Sequence, residues 1–334
     1  MNILLTGGGT GGHLAIAKSL NSAFVKQGVK TFYIGSTYGQ DREWFESDKS
    51  FSQKWFFESR GVINQKGVKK LSSLWNISHL ALKSKEIIKN YNIDAVVSVG
   101  GYSAAPASFG ALLSSTPLFI HEQNARFGKL NTLLSPFAKR VFCSFTPPFD
   151  PYPVNPEFLH TRRVRTKLKT IIFLGGSQGA KQINDIALQN APLLASKKIS
   201  IIHQTGKQDY RRVKNAYEKM GIEAEVFAFD KNLAHKMAQA DFAVSRAGAS
   251  TLWELCANAL PALFVPYPYA AGNHQYYNAK YLVNRGAAFL YPDHALEEII
   301  EADLSPLSQK LFSLAPLEGA TTIAQTIVQS LKTT

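Results

Sequence analysis

Two glycine-rich loops, each placed where a buried strand should turn into a helix, constrain this chain more than any other feature. The first is Thr6-Gly7-Gly8-Gly9-Thr10-Gly11-Gly12-His13, after the apolar run Ile3-Leu4-Leu5. The second is Leu174-Gly175-Gly176-Ser177-Gln178-Gly179-Ala180, after Ile171-Ile172-Phe173. A strand–glycine–helix junction offers bare backbone N–H groups and the positive end of a helix to an anion. One such junction is a weak sign of a nucleotide-binding domain. Two, each opening its own strand–helix series, predict two similar domains facing each other across a cleft.

The rest of the chain supports that duplication. In the first half, apolar runs predict strands at Ile3–Thr6, Thr31–Ile34, Ala95–Val99, Leu118–His121 and Val141–Ser144. A helix from about His13 carries Ile16, Leu20, Ala23 and Phe24 on one face and stops at Gly28. The runs lack polar alternation, so the strands are covered on both faces and form a parallel sheet. Pro147, Pro148, Pro151, Pro153 and Pro156 then interrupt the pattern and mark a linker. It restarts with expected strands at Thr170–Leu174, Ser200–Gln204, Ala224–Phe227, Asp241–Ser245, Ala262–Pro266 and Ala287–Leu290, and a closing helix over about Ala320–Leu331.

Composition sets the outer limits. A length of 334 residues with 45% hydrophobic content supplies core for two domains. No segment runs 18 apolar residues, which argues against a transmembrane helix, and the immediate entry into a strand leaves no room for a signal peptide. Cys143 and Cys256 read as small buried hydrophobes in a reducing cytoplasm. The formal charge of +13 points to nucleic acid, anionic lipid or phosphorylated substrates.

Two basic runs carry much of that charge. Arg60, Lys66, Lys69, Lys70, Lys83, Lys85 and Lys89 face Glu86 alone, and Arg162-Arg163-Val164-Arg165-Thr166-Lys167-Leu168-Lys169 precedes the second glycine-loop strand. The second run reads either as a solvated linker or as part of an anion site. Around the first, Leu71, Leu74, Trp75 and Leu82 fall near one helical face. That face either packs into its own core or forms a lysine-rimmed apolar patch resting on anionic lipid.

The motifs narrow the chemistry. Gly7 to Gly12 satisfies G-x-G-x-x-G, but the second strand ends Tyr33-Ile34-Gly35-Ser36 without the acid that holds a dinucleotide ribose, so the dehydrogenase reading loses its support. Ser177 and Gln178 add a hydroxyl and an amide to the second cradle. Asp241 to Leu255 is the densest constellation: a strand, the turn Arg246-Ala247-Gly248-Ala249, then a helix near Thr251. Glu254 in its first turn either grips both hydroxyls of a ribose or closes a capping box with Thr251. Gln275 and Asn278 share a helix face and suit sugar hydroxyls. His13 and the run His121-Glu122-Gln123-Asn124 stand at carboxyl ends of strands, where a general base would sit. No His/Cys/Asp set has metal-ligand spacing, so neither metal nor cofactor is expected; Asp41-Arg42-Glu43 reads as a solvated loop.

Taken together, TGGGTGGH at Thr6–His13, SVGGYSAAP at Ser98–Pro106, HEQNA at His121–Ala125, LGGSQGA at Leu174–Ala180, SRAGASTLWEL at Ser245–Leu255 and HQYYNA at His274–Ala279 resemble the MurG family. These are bacterial N-acetylglucosaminyltransferases that convert lipid I to lipid II. The resemblance implies the GT-B architecture, two Rossmann-like doubly wound parallel-sheet domains. It implies an acceptor domain over 1–160, completed by the C-terminal helix 317–334, and a donor domain over 161–316. UDP-N-acetylglucosamine would lie on the second, with Glu254 on the ribose, Gly248 and Ala249 facing the phosphates, and Arg246 and Ala247 among the donor-binding residues. Ser177 and Gln178 would contact pyrophosphate or sugar, Gln275 and Asn278 the sugar hydroxyls, and Phe229-Asp230 the uracil. Lipid I would meet Gly9, Thr10, Gly11, Gly12 and Tyr102, with His13, Glu122 and Asn124 around its sugar. Lys69, Lys70, Leu71, Leu74 and Trp75 would touch the anionic cytoplasmic face of the inner membrane.

Two departures stand out. The family has residues of the type V-F-P-A-L after the loop histidine, where this chain has Leu14-Ala15-Ile16-Ala17. Asn155-Pro156-Glu157-Phe158 replaces the N-P-V-R linker and its arginine, for which Arg162, Arg163 and Arg246 are the nearest substitutes. The implied reaction is inversion at the donor's anomeric carbon by the acceptor's C4 hydroxyl, with His13 or Glu122 as base. A UDP-N-acetylglucosamine 2-epimerase shares this architecture and donor but gives no purpose to the Lys69–Lys83 segment. A basic nucleic-acid-binding protein lacks a recognition helix or RNA-binding motif here.

Overall fold

A computed structural model describes residues 1–61, 68–176, 179–230 and 232–333, with the backbone alone for 68–71. The chain divides into two units, Met1–Val154 with Glu318–Thr334, and Asn155–Leu317.

The first unit starts with β1 (Asn2–Thr6), α1 (Gly11–Lys26), β2 (Lys30–Ser36), α2 (Asp41–Phe45) and β3 (Gln53–Phe57). It continues with α3 (Val68–Asn90), β4 (Ala95–Ser98), α4 (Ala105–Leu113), β5 (Leu118–Glu122), α5 (Lys129–Leu134) and β6 (Arg140–Cys143). Its six strands are parallel in the order β3-β2-β1-β4-β5-β6. Leu4, Ile34, Val96 and Ile120 form one fully buried layer. This burial is why the strands read as continuous apolar runs. The edge strand β3 was not anticipated, because Gln53-Lys54-Trp55-Phe56-Phe57 is only partly covered.

The second unit runs α6 (Pro156–His160), β7 (Thr170–Leu174), α7 (Lys181–Ser196), β8 (Ser200–Gln204), α8 (Tyr210–Met220), β9 (Glu225–Phe227) and α9 (Leu233–Gln239). Then come β10 (Phe242–Ser245), α10 (Ala249–Ala257), β11 (Ala262–Phe264), α11 (His274–Val283), β12 (Phe289–Leu290), α12 (Leu296–Ile300) and α13 (Ser305–Leu314). Its parallel sheet has the order β12-β11-β10-β7-β8-β9. Both sheets therefore reverse direction beside the strand that feeds a glycine loop: between β1 and β4, and between β7 and β10. In open parallel sheets such a switch point leaves a crevice at the carboxyl ends of the strands.

The last helix, α14 (Gly319–Lys332), returns to the first unit and packs on α1 through Ile323, Ala324 and Ile327. Gly319 lies so close to the Tyr152 carbonyl that a Cβ would overlap it. The division after Val154 corrects the expected boundary at residue 160. Residues 155–160 belong to the second unit because α6 packs on α9 and α10, and Asn258 Nδ2 donates to Phe158 O at 3.1 Å.

Candidate active site

In the first unit the loops after β1 and β4 interlock at the switch point. Gly8 N donates to Gly100 O at 3.2 Å. Gly7 (φ 116°) and Gly101 (φ 80°) leave no room for a Cβ against the facing backbone, so both the left-handed conformation and the contact demand glycine. Thr10 is the N-cap of α1 but makes no side-chain cap bond; its hydroxyl instead lies 2.9 Å from His13 Nδ1. Thr10 thus does not cap the amino end of α1, the end of a helix that favours an anion.

Asp41 overturns the solvated-loop expectation. It is fully buried, with Oδ2 accepting from Gly9 N at 2.6 Å and Oδ1 from Ser36 N at 3.0 Å. The Tyr33 hydroxyl donates to Gly7 O at 2.9 Å and lies 3.2 Å from Asp41 Oδ1. Burial and the adjacent carboxylate push the Tyr33 phenol well above its ordinary range. Tyr102 covers Gly9 from the other side, its hydroxyl donating to Tyr38 O at 2.8 Å.

His13 and Glu122 occupy different situations. His13 is partly exposed, with Nε2 2.7 Å from the Gln123 side-chain nitrogen. Glu122 is buried, and its oxygens accept from Asn124 N (2.9 Å), Gly128 N (2.9 Å) and Asn131 Nδ2 (2.8 Å). Desolvation pushes its pKa up, and those donors partly offset the shift. Its lone pairs organise the loop after β5, including Asn124, instead of facing outward. His121 is fully buried, both ring nitrogens lack hydrogen-bond partners among the described residues, and burial pushes its pKa down to about 3.

In the second unit Gly248 is the N-cap of α10, with no side-chain cap. The helix begins at Ala249, earlier than expected, so Glu254 lies in the second turn and the Thr251–Glu254 capping box does not form. Among the described residues the Glu254 carboxylate has no hydrogen-bond or ion-pair partner. It is partly exposed, and loss of water pushes its pKa up to about 7. Arg246 Nη1 ties the turn to Gln182 Oε1 (2.8 Å), Val265 O (2.9 Å) and Pro266 O (3.2 Å). Burial lowers its pKa. Asn278 is fully buried, and its Nδ2 donates to Ala247 O at 3.1 Å, which braces the turn. Gln275 is partly exposed; its Oε1 accepts from Tyr267 N at 2.9 Å. Phe229 is exposed beyond β9, and Asp230 accepts from Asn232 N at 2.7 Å. Ser177 and Gln178 lie outside the described residues.

The run at 162–169 is no solvated linker. Arg165 is fully buried and donates to the carbonyls of Met237, Ala240 and Asn258, where α9 and α10 end, and to Asn258 Oδ1 at 2.5 Å. A cation at two helix carboxyl ends is stabilised by their dipoles. Arg163 pairs with Asp241 at 2.7 Å, and Arg162 stacks on Phe312 at 4.1 Å, so both have structural partners of their own. In α3, Leu74 (46%) and Trp75 (73%) are exposed while Leu80, Ala81, Ile87 and Ile88 are buried. The side chains of Lys69, Lys70 and Leu71, and all of Lys66, fall outside the description. Asp41 is the residue here that sequence reasoning missed, and Gln123 stood in a motif without a role of its own; the glycines at 8 and 35 that make room for Asp41 were the available signal.

Two doubly wound halves, each switching direction beside a glycine loop, define the GT-B architecture. Residues 3–143 match the glycosyltransferase family 28 N-terminal domain and residues 170–331 the glycosyltransferase family 28 C-terminal domain. A relative from a Nitratiruptor species is 57% identical over 99% of this chain and 100% of its own length. Its name is UDP-N-acetylglucosamine--N-acetylmuramyl-(pentapeptide) pyrophosphoryl-undecaprenol N-acetylglucosamine transferase. The crystal structure of Acinetobacter baumannii MurG superposes with a TM-score of 0.77 at 26% identity, covering 98% of this chain and 99% of that one. A UDP-GlcNAc 2-epimerase from Neisseria meningitidis, 13% identical with a TM-score of 0.63 over the whole of both chains, shares the fold alone. The chain belongs to the MurG family within glycosyltransferase family 28. It is an N-acetylglucosaminyltransferase, and the fold-class expectation holds.

Proposed function

We propose that the second unit seats UDP-N-acetylglucosamine and the first seats the diphosphate and muramyl sugar of lipid I. The reaction itself is transfer of N-acetylglucosamine from the nucleotide to lipid I, giving lipid II. Glu254 is the observation that carries the donor assignment. A partly exposed carboxylate without a partner among the described residues, in the second turn of a helix whose N-cap Gly248 has no side chain, suits a ribose diol beside a diphosphate. Phe229 and Asp230 flank the base, Arg246 and Asn278 shape the turn at Ala247–Ala249, and Gln275 offers its amide nitrogen to the sugar.

The acceptor's C4 hydroxyl gives its proton to His13 as its oxygen bonds to the donor's anomeric carbon. The bond from that carbon to UDP breaks with inversion, UDP leaving with the electron pair against the amides at the start of α10. His13 is favoured over Glu122 because three backbone and side-chain donors already occupy the Glu122 oxygens. Glu122 and Asn124 then hold the loop around the acceptor sugar, and Thr10, Gly11, Gly12 and Tyr102 receive its diphosphate.

Leu74 and Trp75 support a peripheral seat on an anionic bilayer, at the cytoplasmic face where lipid I is made available. No helix among the described residues is long and apolar enough to cross a membrane. Transfer of labelled N-acetylglucosamine to a short-chain lipid I analogue tests the reading. Formation of the manno isomer from donor alone, without transfer, would replace it with an epimerase. Trp75→Ala together with Leu74→Ala should weaken pelleting with phosphatidylglycerol vesicles and leave transfer to the soluble analogue intact.

A further inference from the structure

We propose that Asp41 is the positioning residue of the acceptor cradle. It turns the Gly9 N–H inward, so that an incoming diphosphate is met by the first turn of α1 and excluded from the glycine turn itself. The inference rests on the reading that this loop takes the acceptor's diphosphate.

The geometry around Asp41 leaves it one role. Two backbone N–H groups, Gly9 N from the loop after β1 and Ser36 N from β2, donate to its two oxygens, and the Tyr33 hydroxyl lies 3.2 Å from Oδ1. Only an acceptor-only side chain satisfies them together; an asparagine would turn an NH₂ toward at least one N–H. Room for the carboxylate is built in, since a Cβ on Gly35 would come 2.8 Å from Oδ1 and one on Gly8 2.5 Å. Among the described residues no Lys, Arg or His pairs with it.

The consequence concerns where an anion can sit. Gly9 is held between Asp41 beneath and the Tyr102 ring above, where a Cβ would come 2.6 Å from Cε1. Its N–H, which a dinucleotide-type loop would offer to phosphate, is spent on a carboxylate of the same sign as the ligand. A diphosphate pressed into the turn would approach that fully buried charge, which little water screens. At the α1 terminus it meets N–H groups and the helix dipole. Asp41 thus selects against nucleotides seated in the ordinary dinucleotide manner and sets the register of the lipid-linked diphosphate.

The test is steady-state kinetics of full-length Asp41→Asn with UDP-N-acetylglucosamine and a short-chain lipid I analogue. The acceptor KM should rise about tenfold while the donor KM stays within about twofold, as loss of one charged hydrogen bond predicts. A purely structural role would lower the active fraction, and hence apparent kcat, without moving the acceptor KM. An unchanged acceptor KM overturns the proposal. If Asp41→Asn does not fold, Tyr33→Phe carries the test, with an expected rise in acceptor KM of about threefold; no rise overturns it equally. Tyr102→Ala separates this from the underlying reading. If it raises the acceptor KM and Asp41→Asn does not, the cradle stands and Asp41 falls. If both raise only the donor KM, the acceptor assignment of the loop falls with it.

Discussion

The side-chain nitrogen of Gln123 lies 2.7 Å from Nε2 of His13, 110 positions earlier in the chain. With that amide donating, Nε2 keeps its lone pair in a fixed direction and Nδ1–H donates to Thr10 Oγ1. An acceptor hydroxyl that displaces the amide finds the lone pair already aimed. His13→Ala should lower kcat by about 10²–10⁴-fold at unchanged donor KM, and Gln123→Ala by about tenfold. The double variant should be no slower than His13→Ala alone. Multiplied effects in these three measurements would mean that Gln123 acts independently of the imidazole.

Glu254→Gln separates function from stability. Loss of charged hydrogen bonds to the ribose should raise the donor KM by about 10–100-fold. For the native enzyme, kcat/KM for donor should fall as pH drops below about 7, where the carboxyl takes up its proton. Because the folded pKa lies above the ordinary 4.5, the carboxyl's ionisation costs stability progressively from pH 4.5 to 7. Thermal melts at pH 8 should therefore show Glu254→Gln more stable by about 1–3 kcal/mol, with no difference at pH 4.

Arg165 holds the ends of α9 and α10 together from inside the second unit. Arg165→Met strands those carbonyl acceptors in the core and should cost about 3–5 kcal/mol in urea unfolding. Arg165→Lys should recover little, because one ammonium cannot span acceptors that a planar fork reaches.

Acid should act through His121 and His203, whose pKa values burial lowers to about 3. His203 is locked between the Tyr217 hydroxyl and Asn184 Oδ1, both at 3.0 Å. Below about pH 6.5 the unfolded chain takes protons that the folded one refuses, so each histidine removes about 1.4 kcal/mol per pH unit as pH falls toward 3. Glu254 and Glu122 work in the opposite sense as their raised carboxyls protonate, so the slope is cleanest in a Glu254→Gln background. There His121→Phe should roughly halve the loss and cost little at pH 8, since both ring nitrogens lack hydrogen-bond partners among the described residues. An unaltered slope in pH-dependent calorimetry would exclude His121 as a source.

What the sequence disclosed was local. The strands around Ile3, Ala95, Ile171 and Phe242 announce themselves because two-sided burial forces uninterrupted apolar runs. The glycine loops do so because φ near 80° and backbone contact admit no other residue. Asp41 was opaque for the opposite reason: flanked by Arg42 and Glu43 it has the composition of a surface turn, and its partner Gly9 is 32 residues away. Arg165 hid likewise in a basic run, since its alternation with exposed Lys167 and Lys169 appears only once Asn258 is brought beneath it. The start of α10 was misplaced because Ala249-Ser250-Thr251 offers two hydroxyl-bearing candidates for a cap that Gly248 supplies instead.

The contact of Gly319 with Tyr152 makes the second unit an insertion within the first. During synthesis, residues 155–317 can therefore reach their finished arrangement while α1, made long before, still shows the stripe that α14 will cover. The lobe that emerges first is the one sealed last. A chain that ends at residue 317 should carry a mature carboxyl-terminal lobe behind an amino-terminal one still open to proteases.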